Sequence, residues 1–195
     1  IYASGGLLDA TLQNNTVTDS SAAGIVFVPG DYTGTQLLDN TITGVNVTTP
    51  QGINLRNVAS LDLLKNTTVT GATTGLIATG DFSGTTLADN VFSTGSVGLR
   101  LATATNLTLT GVNQIEDYQY GIYATGDGSG TVVQGFTIDG ATKSNDFGVF
   151  LLGVQNITVG GSGAGQGNSI SRFNTGFYGG NGLANVSLLS NEVTS

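Results

Sequence analysis

A chain of 195 residues with no Cys, His, Met or Trp, only 9% charged residues and a net charge of −8 excludes several classes of function. Without Cys or His there is no disulfide framework, no thiolate or imidazole metal site and no nucleophile–imidazole triad. The basic residues Arg56, Lys65, Arg100, Lys143 and Arg172 stand singly, so neither a nucleic-acid partner nor an anionic membrane surface is expected.

No apolar run approaches the roughly 18 residues of a spanning helix, so membrane insertion is not expected. The chain opens on Ile1 without an initiator Met. It is therefore expected to be processed, or to be an excerpt of a longer protein.

Along the chain, a Gly followed by an apolar residue recurs at Gly24-Ile25, Gly52-Ile53, Gly75-Leu76, Gly98-Leu99, Gly121-Ile122, Gly148-Val149 and Gly176-Phe177. The spacings are 28, 23, 23, 23, 27 and 28 residues, and Ile1 stands 24 before Ile25. About eight copies result. A second column runs through Leu12, Leu37, Leu63, Leu87, Leu109, Val133, Val159 and Leu188. A third runs through Val17, Ile42, Val69, Phe92, Ile115, Ile138, Ile170 and Val193. Alternation of apolar and polar residues around each column predicts three short half-buried strands per copy, punctuated by Gly, Asn, Asp and Ser.

No apolar stripe has helical spacing. Three strands in roughly 24 residues make one coil of a parallel β-helix, with each strand paired to its counterpart about 4.8 Å along the axis. A leucine-rich repeat has copies of similar length, but its consensus is only partly present. The expectation is an all-β, right-handed parallel β-helix of about eight coils of 23–28 residues, as a single domain over residues 1–195.

The Gly-Ile-x-Leu first strand, the Leu-x-x-Asn approach to a turn (Leu37 to Asn40, Leu63 to Asn66, Leu87 to Asn90) and the Asn-x-Ile third strand resemble the right-handed parallel β-helix, or pectin-lyase-like, superfamily. The resemblance implies that Asn15, Asn40, Asn66, Asn90, Asn113, Asn168 and Asn191 stack as a structural ladder. It implies little about function, because the fold carries lyases, hydrolases, tailspikes, adhesins and passive spacers.

A Gly-Asp-x-Ser/Thr-Gly-Thr pattern begins at Gly30, Gly80 and Gly126, on every second coil. Its aspartates Asp31, Asp81 and Asp127 are candidate cation ligands, or else Asx-turn residues. Neighbours two coils apart lie about 9.6 Å from one another, too wide for a shared Ca²⁺ and near the upper limit for an inverting glycosidase pair. The turn reading is favoured. Asp39 and Asp89 precede ladder asparagines, with Lys65 placed between them as an outer charge ladder.

Nine of the 14 aromatic residues fall between positions 118 and 178. Tyr120 and Phe147 both precede a column glycine and are expected to stack. With Glu116, Asp117 and Tyr118 they are the candidate glycan-binding groove. The stretch from Gly160 to Gly167 reads as an enlarged loop, neither a P-loop nor a calcium-binding nonapeptide array. Asn-x-Ser/Thr sequons stand at Asn14, Asn46, Asn66, Asn106, Asn156 and Asn185. An ice-binding face needs Thr-x-Thr on successive coils. Thr41-Ile42-Thr43 and Thr108-Leu109-Thr110 fall in different columns, which sets that reading behind.

The expected function is therefore an extracellular or cell-surface structural solenoid (a stalk, adhesin segment or filament subunit) without catalytic activity. Its partners are further coils, of the same chain or of copies stacked end to end, and carbohydrate. The alternative is a polysaccharide-active or tailspike-like protein using the lateral face. No cofactor is indicated, and neither is a Ca²⁺ requirement.

Overall fold

The computed structural model describes residues 1–44, 50–140 and 146–194, with Leu63 described by its backbone alone. The sequon at Asn46 and the cation Lys143 lie outside the described residues. Among the described residues there is no helix, and every strand pairing is parallel. The chain winds as a right-handed β-solenoid of about eight coils.

Three columns line the interior, as the periodicity predicts. Ile25, Ile53, Leu76, Leu99, Ile122, Val149 and Phe177 are successive partners in the first strands. Val17 through Val193 align in the third strands. In the second strands one expected member is displaced. Leu64, not Leu63, pairs with Leu37 and Leu87, and it is fully buried. The Leu63-Leu64 doublet left the phase open, and the extra residue at Leu61 to Asp62 shifts it by one. Strands also merge in the middle coils, where Val91–Thr105, Asn113–Val133 and Phe147–Gly160 run round a corner without a break.

The column glycines have a steric cause. A Cβ on Gly24, Gly52, Gly98, Gly121, Gly148 or Gly176 would stand 2.3–2.5 Å from the third-strand side chain of Ile42, Val69, Ile115, Ile138, Ile170 or Val193. The first strand bends inward there, and only a hydrogen side chain lets the third-strand column close the prism.

Corners are made by residues with positive φ. One corner column is Asn14, Asp39, Asn66, Asp89, Gly111, Gly135 and Ser190, with the positive-φ Gly160 one residue early, opposite Leu189, and a second includes Asp9, Gly34, Ser60, Gly84, Asn106, Gly130, Asn156 and Asn185. Asn and Asp tolerate this left-handed conformation best after Gly. This corrects the expected Asn ladder at one position. Asn66 is a left-handed corner residue, and Thr67 takes the ladder position, its N–H donating to Asn90 Oδ1 at 3.0 Å. Lys65 likewise stands one residue before the Asp39/Asp89 column, where it pairs with Asp89 at 3.3 Å.

The ladder itself runs coil to coil. Asn15 donates to Asn40, Asn90 to Asn113 and Asn168 to Asn191, Nδ2 to Oδ1 at 3.0, 3.2 and 2.8 Å. Asn40, Asn90, Asn168 and Asn191 also donate to a backbone carbonyl one coil back, Asn90 to Leu64 O at 3.1 Å, whereas Asn113 donates to Thr110 O of its own coil. A second device belongs to the two-coil motif. The closing threonines Thr35, Thr85 and Thr131 are buried, and their hydroxyls donate to Leu7 O, Val58 O and Ala104 O. Among the described residues no buried side-chain polar atom lacks a partner. Such satisfaction offsets the cost of burying polar groups in a narrow core.

Candidate functional site

The outward side of the first strands carries the site. Alternation along Gly121-Ile122-Tyr123 and Gly148-Val149-Phe150 sends Ile122 and Val149 inward and turns Tyr123 and Phe150 outward. Tyr178 follows in the next coil. Parallel register then stacks the rings. Tyr123 lies on Phe150 with centroids 5.2 Å apart, and Phe150 on Tyr178 at 4.6 Å. Beside them Tyr120 stacks on Phe147 at 5.5 Å. Edge contacts of 5.0–5.8 Å join the two rows. Five rings thus form one plate on a lateral face, reaching solvent most at Tyr178, which is 42% exposed. At its lower edge Val97, Arg100, Tyr120 and Tyr123 line a shallow cleft of about 260 Å³.

Of the expected groove residues, the structure brings Tyr120 and Phe147 together. Tyr118 is not beside them. It is fully buried, its ring fills the space left by Gly95, and burial raises its hydroxyl pKa. Alternation alone would put Tyr118 and Tyr120 on one face; it breaks after Tyr118, where Gln119 and Tyr120 are both part-exposed and Gly121 and Ile122 both buried. Glu116 and Asp117 are exposed on that corner, with Asp117 at a φ of 58°. Nearby Asp139 takes a bidentate ion pair from Arg172. The Asp139 pair raises the Arg172 pKa most, and the charges of Asp117 and Glu116 add to it. The plate also includes Tyr123, Phe150 and Tyr178, which aromatic clustering alone does not single out. Each stands two residues after a column glycine, and that offset was the available signal.

The motif aspartates sit in turns at another corner. Asp31 accepts from the Thr33 N–H and hydroxyl at 3.0 and 2.6 Å, Asp81 from Ser83 at 3.3 and 2.8 Å, and Asp127 from Ser129 at 3.1 and 2.6 Å. Asn106 adds a bond to Asp81 at 2.9 Å and Asn156 one to Asp127 at 3.1 Å. These donors favour the charged form and hold all three carboxyls below the usual range, led by Thr33 at Asp31, Asn106 at Asp81 and Ser129 at Asp127. A general acid needs the opposite shift. No cluster of three or more potential metal ligands occurs among the described residues. The Gly160–Gly167 loop is closed by Gln166, whose side chain accepts from the Gly163 N–H at 2.8 Å.

The profile of the family described as "Right handed beta helix region" matches residues 1–138. The chain belongs to this right-handed β-helix family. No curated protein matches it. Among solved structures, this β-helix is similar to HetL, a pentapeptide repeat protein involved in heterocyst differentiation regulation from the cyanobacterium Nostoc sp. strain PCC 7120. The identity is 10%, the match covers 82% of this chain and 72% of HetL, and the TM-score is 0.29. At that score the likeness carries no argument about function.

Proposed function

We infer that this β-helix is an adhesive, non-catalytic solenoid of the extracellular space or cell surface, holding a glycan chain against its lateral aromatic plate. The observation that carries the reading is the five-ring plate of Tyr120, Tyr123, Phe147, Phe150 and Tyr178. Rigid rings lose little entropy on contact; stacking turns their apolar edges outward along the row and leaves free ring faces at its ends, at Tyr178 and over the cleft beside Arg100, where the C–H face of a sugar ring can rest. Glu116 and Asp117, on the adjoining corner, supply acceptors for sugar hydroxyls. The turn-locked Asp31, Asp81 and Asp127 support a structural role for that edge, and they favour adhesion over hydrolysis.

Affinity electrophoresis in gels containing soluble neutral and acidic polysaccharides tests the reading. The wild-type chain is expected to be retarded by at least one of them, Phe150→Ser to migrate freely, and Asp127→Asn to behave as wild type. Release of reducing ends by the wild-type chain, abolished in Asp127→Asn, would instead establish the enzymatic alternative.

A further inference from the structure

On a different face, the structure reveals a regular hydroxyl net that the sequence columns concealed. Thr16-Val17-Thr18, Thr41-Ile42-Thr43 and Thr68-Val69-Thr70 are third strands of three successive coils. Their register is in phase: Thr16 pairs with Thr41 and Thr41 with Thr68, while Thr18 pairs with Thr43 and Thr43 with Thr70. Val17, Ile42 and Val69 point inward, with Ile42 and Val69 fully buried, so all six threonines point outward. The net repeats about every 4.8 Å along the solenoid axis and about every 6.6 Å along the strands.

Two further observations concern what the net can hold. Among the described residues, Thr16, Thr18, Thr41, Thr43 and Thr68 make no side-chain hydrogen bond, and of the six Thr70 alone is paired, to the Ser93 hydroxyl at 3.1 Å. No charged side chain interrupts the six positions. The pattern then ends: the next coils offer Val91 and Ser93, then Gln114 and Glu116. Bends at Asp19, Gly44 and Gly71, with φ of 50°, 60° and 75°, hold the three strand ends in line.

We propose that this threonine net binds the surface of ice. Each position pairs a hydroxyl, which is both donor and acceptor, with a methyl group that limits disordered hydration. Rows of such groups on a rigid parallel sheet hold first-shell waters at fixed spacings in two directions. A crystalline water surface continues such a pattern, and bulk water does not. Charged groups, which orient water about themselves, would break it. A sugar surface would be better served by rings, which this face lacks.

The experiment is partition into a slowly grown ice hemisphere from a dilute solution of the purified chain. The wild-type chain is expected to be enriched severalfold in the ice fraction relative to an inert globular protein. Thr41→Lys, at the centre of the net, and Thr18→Lys, at its exposed edge, are expected to lose that enrichment while keeping the wild-type far-ultraviolet dichroism. Thr108→Lys, outward on a second strand, is expected to keep it. Exclusion of the wild-type chain from ice would overturn the proposal, and so would equal enrichment of folded Thr18→Lys. Adsorption to an insoluble crystalline polysaccharide without adsorption to ice would overturn it as well.

Discussion

Asn106 reaches back one coil and donates from Nδ2 to Asp81 Oδ1 at 2.9 Å. Asn156 does the same to Asp127 at 3.1 Å, and Asn185 then donates to Asn156 Oδ1 at 2.9 Å. The two-coil motif thus has a physical meaning. An Asx turn on one coil presents an acceptor, and the left-handed Asn on the next coil completes it. Replacing Asp127 by Asn keeps the Oδ1 acceptor, whereas Ala removes it. Asp127→Ala is expected to melt measurably below Asp127→Asn in thermal denaturation.

The buried Asn ladder carries a larger effect. Asn90 accepts from Thr67 N–H and donates to Leu64 O and Asn113 Oδ1. Asn113 Oδ1 keeps the Asn90 backbone N–H, but Asn90→Ala takes the side-chain partner from the buried Thr67 N–H and Leu64 carbonyl, at a cost of about 1–3 kcal/mol. For a chain of this size that is several degrees of melting temperature. Differential scanning calorimetry checks it, with the exposed Asn66→Ala expected to cost clearly less.

Gly121→Ala tests why glycine marks every first strand. Its Cβ would meet Ile138 Cγ2 at 2.3 Å and Gly148 O at 2.5 Å. Neither neighbour has space to retreat in a filled prism, so the substitution is expected to destabilise by about 1–3 kcal/mol or more. The denaturation midpoint in guanidinium reads this out.

Below the alkaline range, where the buried Tyr118 and Tyr32 hydroxyls resist ionisation, stability should depend on pH only on the acid side. Hydrogen bonds and Arg172 hold the carboxyls of Asp31, Asp39, Asp81, Asp89, Asp127 and Asp139 below their unfolded values. Groups with depressed folded pKa stabilise the fold above the unfolded value of about 3.9 and lose that contribution as pH falls through the folded values. With no His in the chain, the melting temperature is expected to stay level between about pH 5 and pH 7. It is then expected to fall steadily below about pH 4. A thermal melt series across these pH values measures it.

The fold was legible because a solenoid repeats its physics. Gly24, Leu37 and Ile42 each recur in register, and one coil explains the rest. The misplacements share a cause. The Leu63-Leu64 doublet and the Asn66-Thr67 pair each offered two phases for one column, and only the pairing of Leu64 with Leu37 and Leu87 decides between them. Tyr118 looks like an outward partner of Tyr120 in the sequence because the break in alternation at Gln119 and Tyr120 leaves no mark in residue type. The threonine net is hard to see in the sequence because Thr41-Ile42-Thr43 and Thr108-Leu109-Thr110 lie in different columns, and the register is what places Thr41-Ile42-Thr43 between Thr16-Val17-Thr18 and Thr68-Val69-Thr70. The described sequons have a structural origin: Asn14, Asn66, Asn106, Asn156 and Asn185 are all left-handed corner residues two positions before an outward Thr or Ser. Coil geometry alone generates that spacing.

The adhesive reading stands on the aromatic plate, and resonance-resolved titration tests it most directly. A soluble oligosaccharide of a polysaccharide that retards the chain in affinity gels is added while ring signals are followed by nuclear magnetic resonance. Shifts are expected at Tyr120, Tyr123, Phe147, Phe150 and Tyr178, and none at the buried rings of Phe27, Tyr32, Phe82 and Tyr118. Unmoved plate signals under saturating oligosaccharide, or shifts confined to another face, would contradict the account.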